Sequence, residues 1–108
     1  MTVTAHGLEH LPGTKQFHDF SIASSPSQSG ELSIAFRISP SRFKQTLLHG
    51  SLGMMVGIEG PKGVLTLPEN ASTPLIFIAG GIGITPFTSM IRFFVDKEIS
   101  VHHRSLLF

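Results

Sequence analysis

The stretch Pro74-Leu75-Ile76-Phe77-Ile78-Ala79-Gly80-Gly81-Ile82-Gly83-Ile84-Thr85-Pro86 decides how this chain is read. Its apolar run, residues 75–79, predicts a fully buried strand. The run stops in a glycine turn at Gly80, Gly81 and Gly83. Thr85 and Pro86 predict a helix start, with Thr as N-cap and Pro in the first turn. Strand, glycine turn and helix N-terminus together suit a pyrophosphate. Glycines let a ligand approach the backbone, and free N–H groups with the helix dipole favour the anion. GGIGITP is not the G-x-G-x-x-G dinucleotide fingerprint. Taken alone, the turn leaves open a strand that becomes a helix for packing reasons only.

Two segments upstream add to it. His18-Asp19-Phe20-Ser21-Ile22-Ala23-Ser24-Ser25-Pro26 comes first, and Gly60-Pro61-Lys62-Gly63-Val64-Leu65-Thr66-Leu67-Pro68 second. With the glycine turn, these segments resemble the ferredoxin–NADP reductase superfamily of flavin-dependent NAD(P)H oxidoreductases. The corresponding family patterns are R-x-[YF]-S-[IL]-x-S-x-P, GPxGxF and GG(T/I)GI(A/T)P, in that order. Leu65 stands where the second pattern usually has Phe. The resemblance runs from about Phe17 to Arg92.

The resemblance implies a mainly β fold: an incomplete antiparallel flavin-binding β-barrel followed by the first strand and helix of an α/β nicotinamide domain. Residues 1–68 would be the partial FAD-binding domain, 69–74 a linker and 75–108 the start of the NAD(P)-binding domain. In relatives, further strands precede the stretch matching residues 1–8. The chain therefore reads as an internal fragment or a truncated form, with unpaired strand edges that invite self-association. Phe87, Met90, Ile91, Phe93 and Phe94 are expected to stay partly exposed in it.

Site residues follow from the same resemblance. Phe20 matches the aromatic that lies against the isoalloxazine, and Ile22 falls within the same motif. Ser21 matches the catalytic serine near flavin N5. Ala35, Phe36 and Arg37 match the strand segment beside the adenosine half of the cofactor. His18 replaces the Arg that usually forks onto the flavin pyrophosphate, which leaves FMN beside FAD as the flavin. Arg42 and Lys44 could supply the missing charge, or be solvated helix charges. Gly80, Gly81, Gly83, Ile84, Thr85 and Pro86 match the NAD(P)H-binding turn.

Composition bounds the alternatives. The chain has 108 residues and a formal net charge of +1, so electrostatics predict no nucleic-acid partner and no acidic membrane surface. It has no cysteine, which excludes a disulfide framework, a thiolate zinc site and a cysteine-ligated iron–sulfur cluster within these residues. His6, His10, His49, His102 and His103 form no metal-binding pattern. MTVTAHGLEH lacks the basic start and apolar core of a signal peptide, and a cytoplasmic location is expected. Residues 75–91 carry no charge, yet their three glycines and Pro86 argue against a membrane span.

Along the chain, residues 15–22, 32–38, 54–59 and 64–67 predict strands. Leu32, Ile34, Phe36 and Ile38 share the buried face of the second. Ser39-Pro40 predicts a short helix to about Leu48. Phe87, Met90, Ile91 and Phe94 form an apolar stripe after Pro86, and residues 99–103 predict a second strand of the α/β part. The functional reading is an oxidoreductase module passing electrons from NAD(P)H through FAD to a protein or small-molecule acceptor. The alternatives are a non-catalytic binding or structural piece and a membrane-associated protein.

Overall fold

The computed structural model describes residues 1–5, 13, 16–70 and 72–98, and the backbone of 106–107. Two compact units result, one from Met1–Phe20 with Phe36–Gly63, the other from Ser21–Ala35 with Val64–Phe108.

The first unit is organised by a strand outside the segments expected to form strands. Thr2-Val3-Thr4-Ala5 alternates β-branched polar with apolar residues, the pattern of a half-buried strand. It forms β1, Thr2–Ala5, with Val3 and Ala5 buried. β1 is the central strand, flanked by β2, Phe17–Asp19, and β3, Val56–Glu59, both antiparallel. Val3 stands opposite His18 on one side and Ile58 on the other. Beyond β2, the backbones of Met1 and Phe20 exchange hydrogen bonds of 2.8 and 3.2 Å. Among the described residues, the sheet ends at three strands and does not close into a barrel.

Helix α1, Arg42–His49, packs on β1 through Phe43, which is 1 % exposed. It starts two residues after Pro40, later than expected, because Ser41 is the extended residue at its N-cap. The turn Gly60-Pro61-Lys62-Gly63 follows β3. Gly60 has a φ of +145° and lies close against Met1, so a Cβ there would be 3.2 Å from Met1 Cα. Lys62 pairs with Glu59 at 2.8 Å.

Two expected strands are absent from the described residues. In residues 32–38, only Ile34 has a strand partner, through a single bridge to Ile22. A strand needs a ladder on at least one side; lacking one, Leu32 and Ile38 are exposed rather than turned inward. Residues 64–67 form no strand either, and Val64 and Leu65 face solvent.

In the second unit, the apolar run yields a two-residue strand, β4, Phe77–Ile78. A 3-10 turn, Gly81–Ile84, leads directly into helix α2, Thr85–Asp96. Strand β5, Leu106–Leu107, then pairs parallel to β4. Parallel neighbours need a crossover connection, and α2 lies within it, which makes a β–α–β unit. The strand expected at residues 99–103 lies outside the described residues.

The run 75–79 is not fully buried as expected. Phe77 is half-buried and stacks on Phe87 of α2 with ring centres 4.7 Å apart, whereas Ile76 and Ile78 are 70 % and 73 % exposed. Side chains alternate across a strand, and among the described residues α2 covers one face only. Phe87, Met90, Ile91, Phe93 and Phe94 are half-buried.

Candidate functional site

The expected site residues divide between the two units. In the first unit, His18, Phe20, Phe36 and Phe43 form an aromatic cluster. The Phe20 ring centre is 5.7 Å from Phe36 and 6.2 Å from Phe43, the latter pair stacked. His18 lies 5.9 Å from Phe20 and 5.2 Å from Phe43. Its place is fixed by the strand register, because a residue opposite buried Val3 points to the same face. Phe20 and Phe36 are half-buried, so each shows part of a ring.

One basic side chain, Lys44, lies beside this cluster. Lys44 Nζ lies 6.0 Å from the centre of the Phe36 ring and donates to the Arg37 carbonyl at 3.3 Å. A cation held over a ring face gains from the ring quadrupole. Arg37 is exposed, and so is Arg42, the first residue of α1. A cation at a helix N-terminus opposes the dipole, but the same end attracts an anion. α1 has no acidic residue in its first turn to take that role.

In the second unit, Ser21 is exposed, Ile22 is half-buried through its bridge to Ile34, and Ala35 is exposed. The glycine turn follows β4 at its C-terminal end. In open parallel sheets this is the end where ligands bind. Gly81 has a φ of +53°, which L side chains rarely adopt. Gly80 and Gly83 are exposed, and a Cβ on either would meet nothing within 4 Å.

Thr85 is not the N-cap. The N-cap is Ile84, already in helical conformation, because the 3-10 turn runs straight into α2. A capping hydroxyl needs an extended backbone to accept from the helix. Buried Thr85 instead donates its hydroxyl to the Ile82 carbonyl at 2.7 Å, tying the turn to the helix start. Pro86 sits in the first turn as expected.

These glycines yield a separable expectation. Gly81→Ala should cost roughly 1–2 kcal/mol of stability, the usual penalty for a left-handed L residue. Gly80→Ala and Gly83→Ala should leave the urea midpoint nearly unchanged, since their Cβ atoms enter open space. If a dinucleotide lies over the turn, both should nonetheless weaken NAD+ binding. Equal destabilisation by all three would show that the turn is packed, not open.

Residues 24–30, Ser-Ser-Pro-Ser-Gln-Ser-Gly, have the composition of a solvated polar turn. In the structure, Ser24 and Ser25 are among the most buried polar residues, at 7 % and 2 % exposure. The Ser24 hydroxyl accepts from the Ser33 amide at 2.9 Å, and the Ser33 carbonyl accepts from the Ala23 amide at 2.8 Å. Ser89 of α2 donates to the Ser24 carbonyl at 2.6 Å, and the Ser27 hydroxyl donates to Asp96 Oδ2. Composition hid this role, because serine is as common in solvated turns as in buried ones.

Among the described residues, no group of three or more His, Asp or Glu side chains could hold a metal ion, and no helix is long and apolar enough to cross a membrane.

No family model matches the chain, and no solved structure matches it at a significant level. It is similar to curated proteins. The reductase component of propane 2-monooxygenase from Mycolicibacterium goodii is 34 % identical over 85 residues, 77 % of this chain and 24 % of that protein. Methane monooxygenase component C from Methylosinus trichosporium is 36 % identical over 86 residues, 76 % of this chain and 24 % of that one. The glycine betaine monooxygenase reductase subunit from Pseudomonas aeruginosa is 31 % identical over 93 residues, 84 % of this chain and 25 % of the subunit. The chain thus spans about a quarter of the length of the curated relatives it matches. Over the stretch it shares with these reductase components, the chain belongs to the ferredoxin–NADP reductase superfamily.

Proposed function

We propose that the chain is part of a flavin-dependent NAD(P)H oxidoreductase that delivers electrons to the oxygenase partner of a monooxygenase system. One observation supports this above others. The open glycine turn lies at the C-terminal end of a parallel strand, in a chain that aligns with three different monooxygenase reductases.

The residues present fit the two groups in kind. Phe20 offers a ring to a flavin, and Ser21, next in the chain, an exposed hydroxyl to its reacting edge. Arg37 and Arg42 would face the FAD phosphates, with Phe36 and Ala35 along the adenosine half. Lys44 would act there as a point charge. His18 packs against two phenylalanine rings, so it would serve the ring side more than the phosphates. The chemistry supplied by a bound flavin is acceptance of a hydride and release of the electrons singly or as a pair. The backbone of Gly80, Gly81, Gly83 and Ile84, with Thr85 and Pro86 fixing the start of α2, would hold the NAD(P)H pyrophosphate.

Titration of the chain with FAD, followed by flavin fluorescence, tests the reading. Saturable binding is expected, with FMN binding more weakly if Arg37 and Arg42 reach the phosphates. Absence of binding by either flavin would refute it.

A further inference from the structure

The serine loop after Ser21 is fastened to α2 at two points. Ser89 Oγ donates to the Ser24 carbonyl at 2.6 Å, and Ser27 Oγ donates to Asp96 Oδ2. Residues seven apart on a helix lie on one face, so the attachments are roughly 10 Å apart along it. Two points fix an orientation where one would allow a swing.

The loop side is equally well determined. Ser27 Oγ and Ser25 Oγ share a hydrogen bond of 2.6 Å. Each hydroxyl has one proton, and Ser27 gives its own to Asp96, so Ser25 is the donor. The Ser25 oxygen accepts in turn from the Ser27 amide at 3.2 Å. The Ser25 amide donates to Gln28 Oε1 at 3.1 Å. On the helix side, Arg92 holds Asp96 at 2.9 Å.

Ser24 lies three residues after Ser21, and Ser89 one turn after Thr85. The fastened loop therefore joins the segment assigned above to the flavin's reacting edge to the helix that follows the nucleotide turn. We propose that Ser27, Ser89 and Asp96 are positioning residues that couple flavin binding to NAD(P)H binding. The inference rests on the functional reading above. Its physical basis is shared ordering: a ligand that orders one end of a fastened body lowers the entropy cost of binding at the other. By linkage the coupling is reciprocal.

The coupling should also depend on acid. The Ser27 hydrogen bond, aided by Arg92 and Lys97 nearby, holds the Asp96 carboxyl below its ordinary value of 3.8. A depressed carboxyl contributes fully above its unfolded value and loses that contribution as pH falls through the folded one. The fastening should thus be at full strength at neutral pH and weaken as pH falls below the ordinary carboxylate value.

The test measures FAD and NAD+ affinities of the chain singly and together, in the wild type and in the Ser27→Ala/Ser89→Ala double variant. In the wild type, each ligand should tighten the other by about fivefold or more, the lower range for coupled sites. In the double variant, each ligand alone should bind within about twofold of wild type, while the coupling factor falls to about one. Amide exchange at Ala23 and Ser33 should accelerate, and Ser89→Thr, which keeps the hydroxyl, should preserve the coupling. Unchanged coupling in the double variant overturns the inference, as does a wild-type factor of one. Loss of either ligand's own affinity overturns it too, by showing direct contact. A wild-type chain that binds neither ligand refutes the functional reading and this inference with it.

Discussion

Phe43→Ala is expected to destabilise the first unit by about 3–5 kcal/mol, the usual result of truncating a buried aromatic. Phe43 is 1 % exposed and is the largest fully buried side chain among the described residues. Its ring touches the cluster of His18 and Phe20 and brings α1 onto β1. The buried apolar residues beside it, Met1, Val3 and Ala5, are few and smaller. Little else could close over the cavity. Urea unfolding would measure the loss, and Phe43→Leu, which keeps most of the volume, should lose much less. A Phe43→Ala midpoint shift equivalent to under about 0.5 kcal/mol, typical of surface sites, would contradict this packing.

Phe20→Ala is expected to weaken flavin binding by about 1–3 kcal/mol, or roughly 5- to 150-fold, as for loss of a stacked aromatic with its buried area. The residue is half-buried, with one neighbour in Phe43 and another in Phe36, so the same change also loosens the cluster. Phe20→Leu separates the two effects. Leucine should preserve most of the stability but not the ring contact, so affinity should drop while the urea midpoint nearly holds. If the FAD dissociation constant is unchanged in both variants with the fold intact by circular dichroism, Phe20 does not touch the flavin.

What the sequence disclosed and what it hid divide along a physical line. The glycine turn, Pro86 and the apolar stripe of α2 were legible because φ restrictions and helical spacing are local. The family was legible for a related reason: its motifs are short and keep their order. Strand β1 carries its alternation in Thr2-Val3-Thr4-Ala5, but four residues are few for a period-two pattern to stand out. Residues 32–38 carried a clean strand pattern and still made only one bridge. Pairing depends on a partner, which periodicity does not supply. Thr85 had the right chemistry for a cap, but the 3-10 turn before it set a helical backbone one residue early. The burial of Ser24 was not legible at all, since its partners Ser33 and Ser89 are distant in sequence.

The central position of β1 bears on how the protein is made. β1 leaves the ribosome before its two neighbours, and β2 follows soon after to cover one edge. The partner for the other edge, β3, begins at Val56, with fifty residues between the two. At roughly 5–20 residues per second of synthesis, that edge stays bare for several seconds. Closing so long a loop also slows the pairing itself. The nascent chain therefore passes through a stage with an open strand edge beside Val3 and Ala5. Expression at lower temperature or with holdase chaperones should raise the yield of folded protein more than any change at α2.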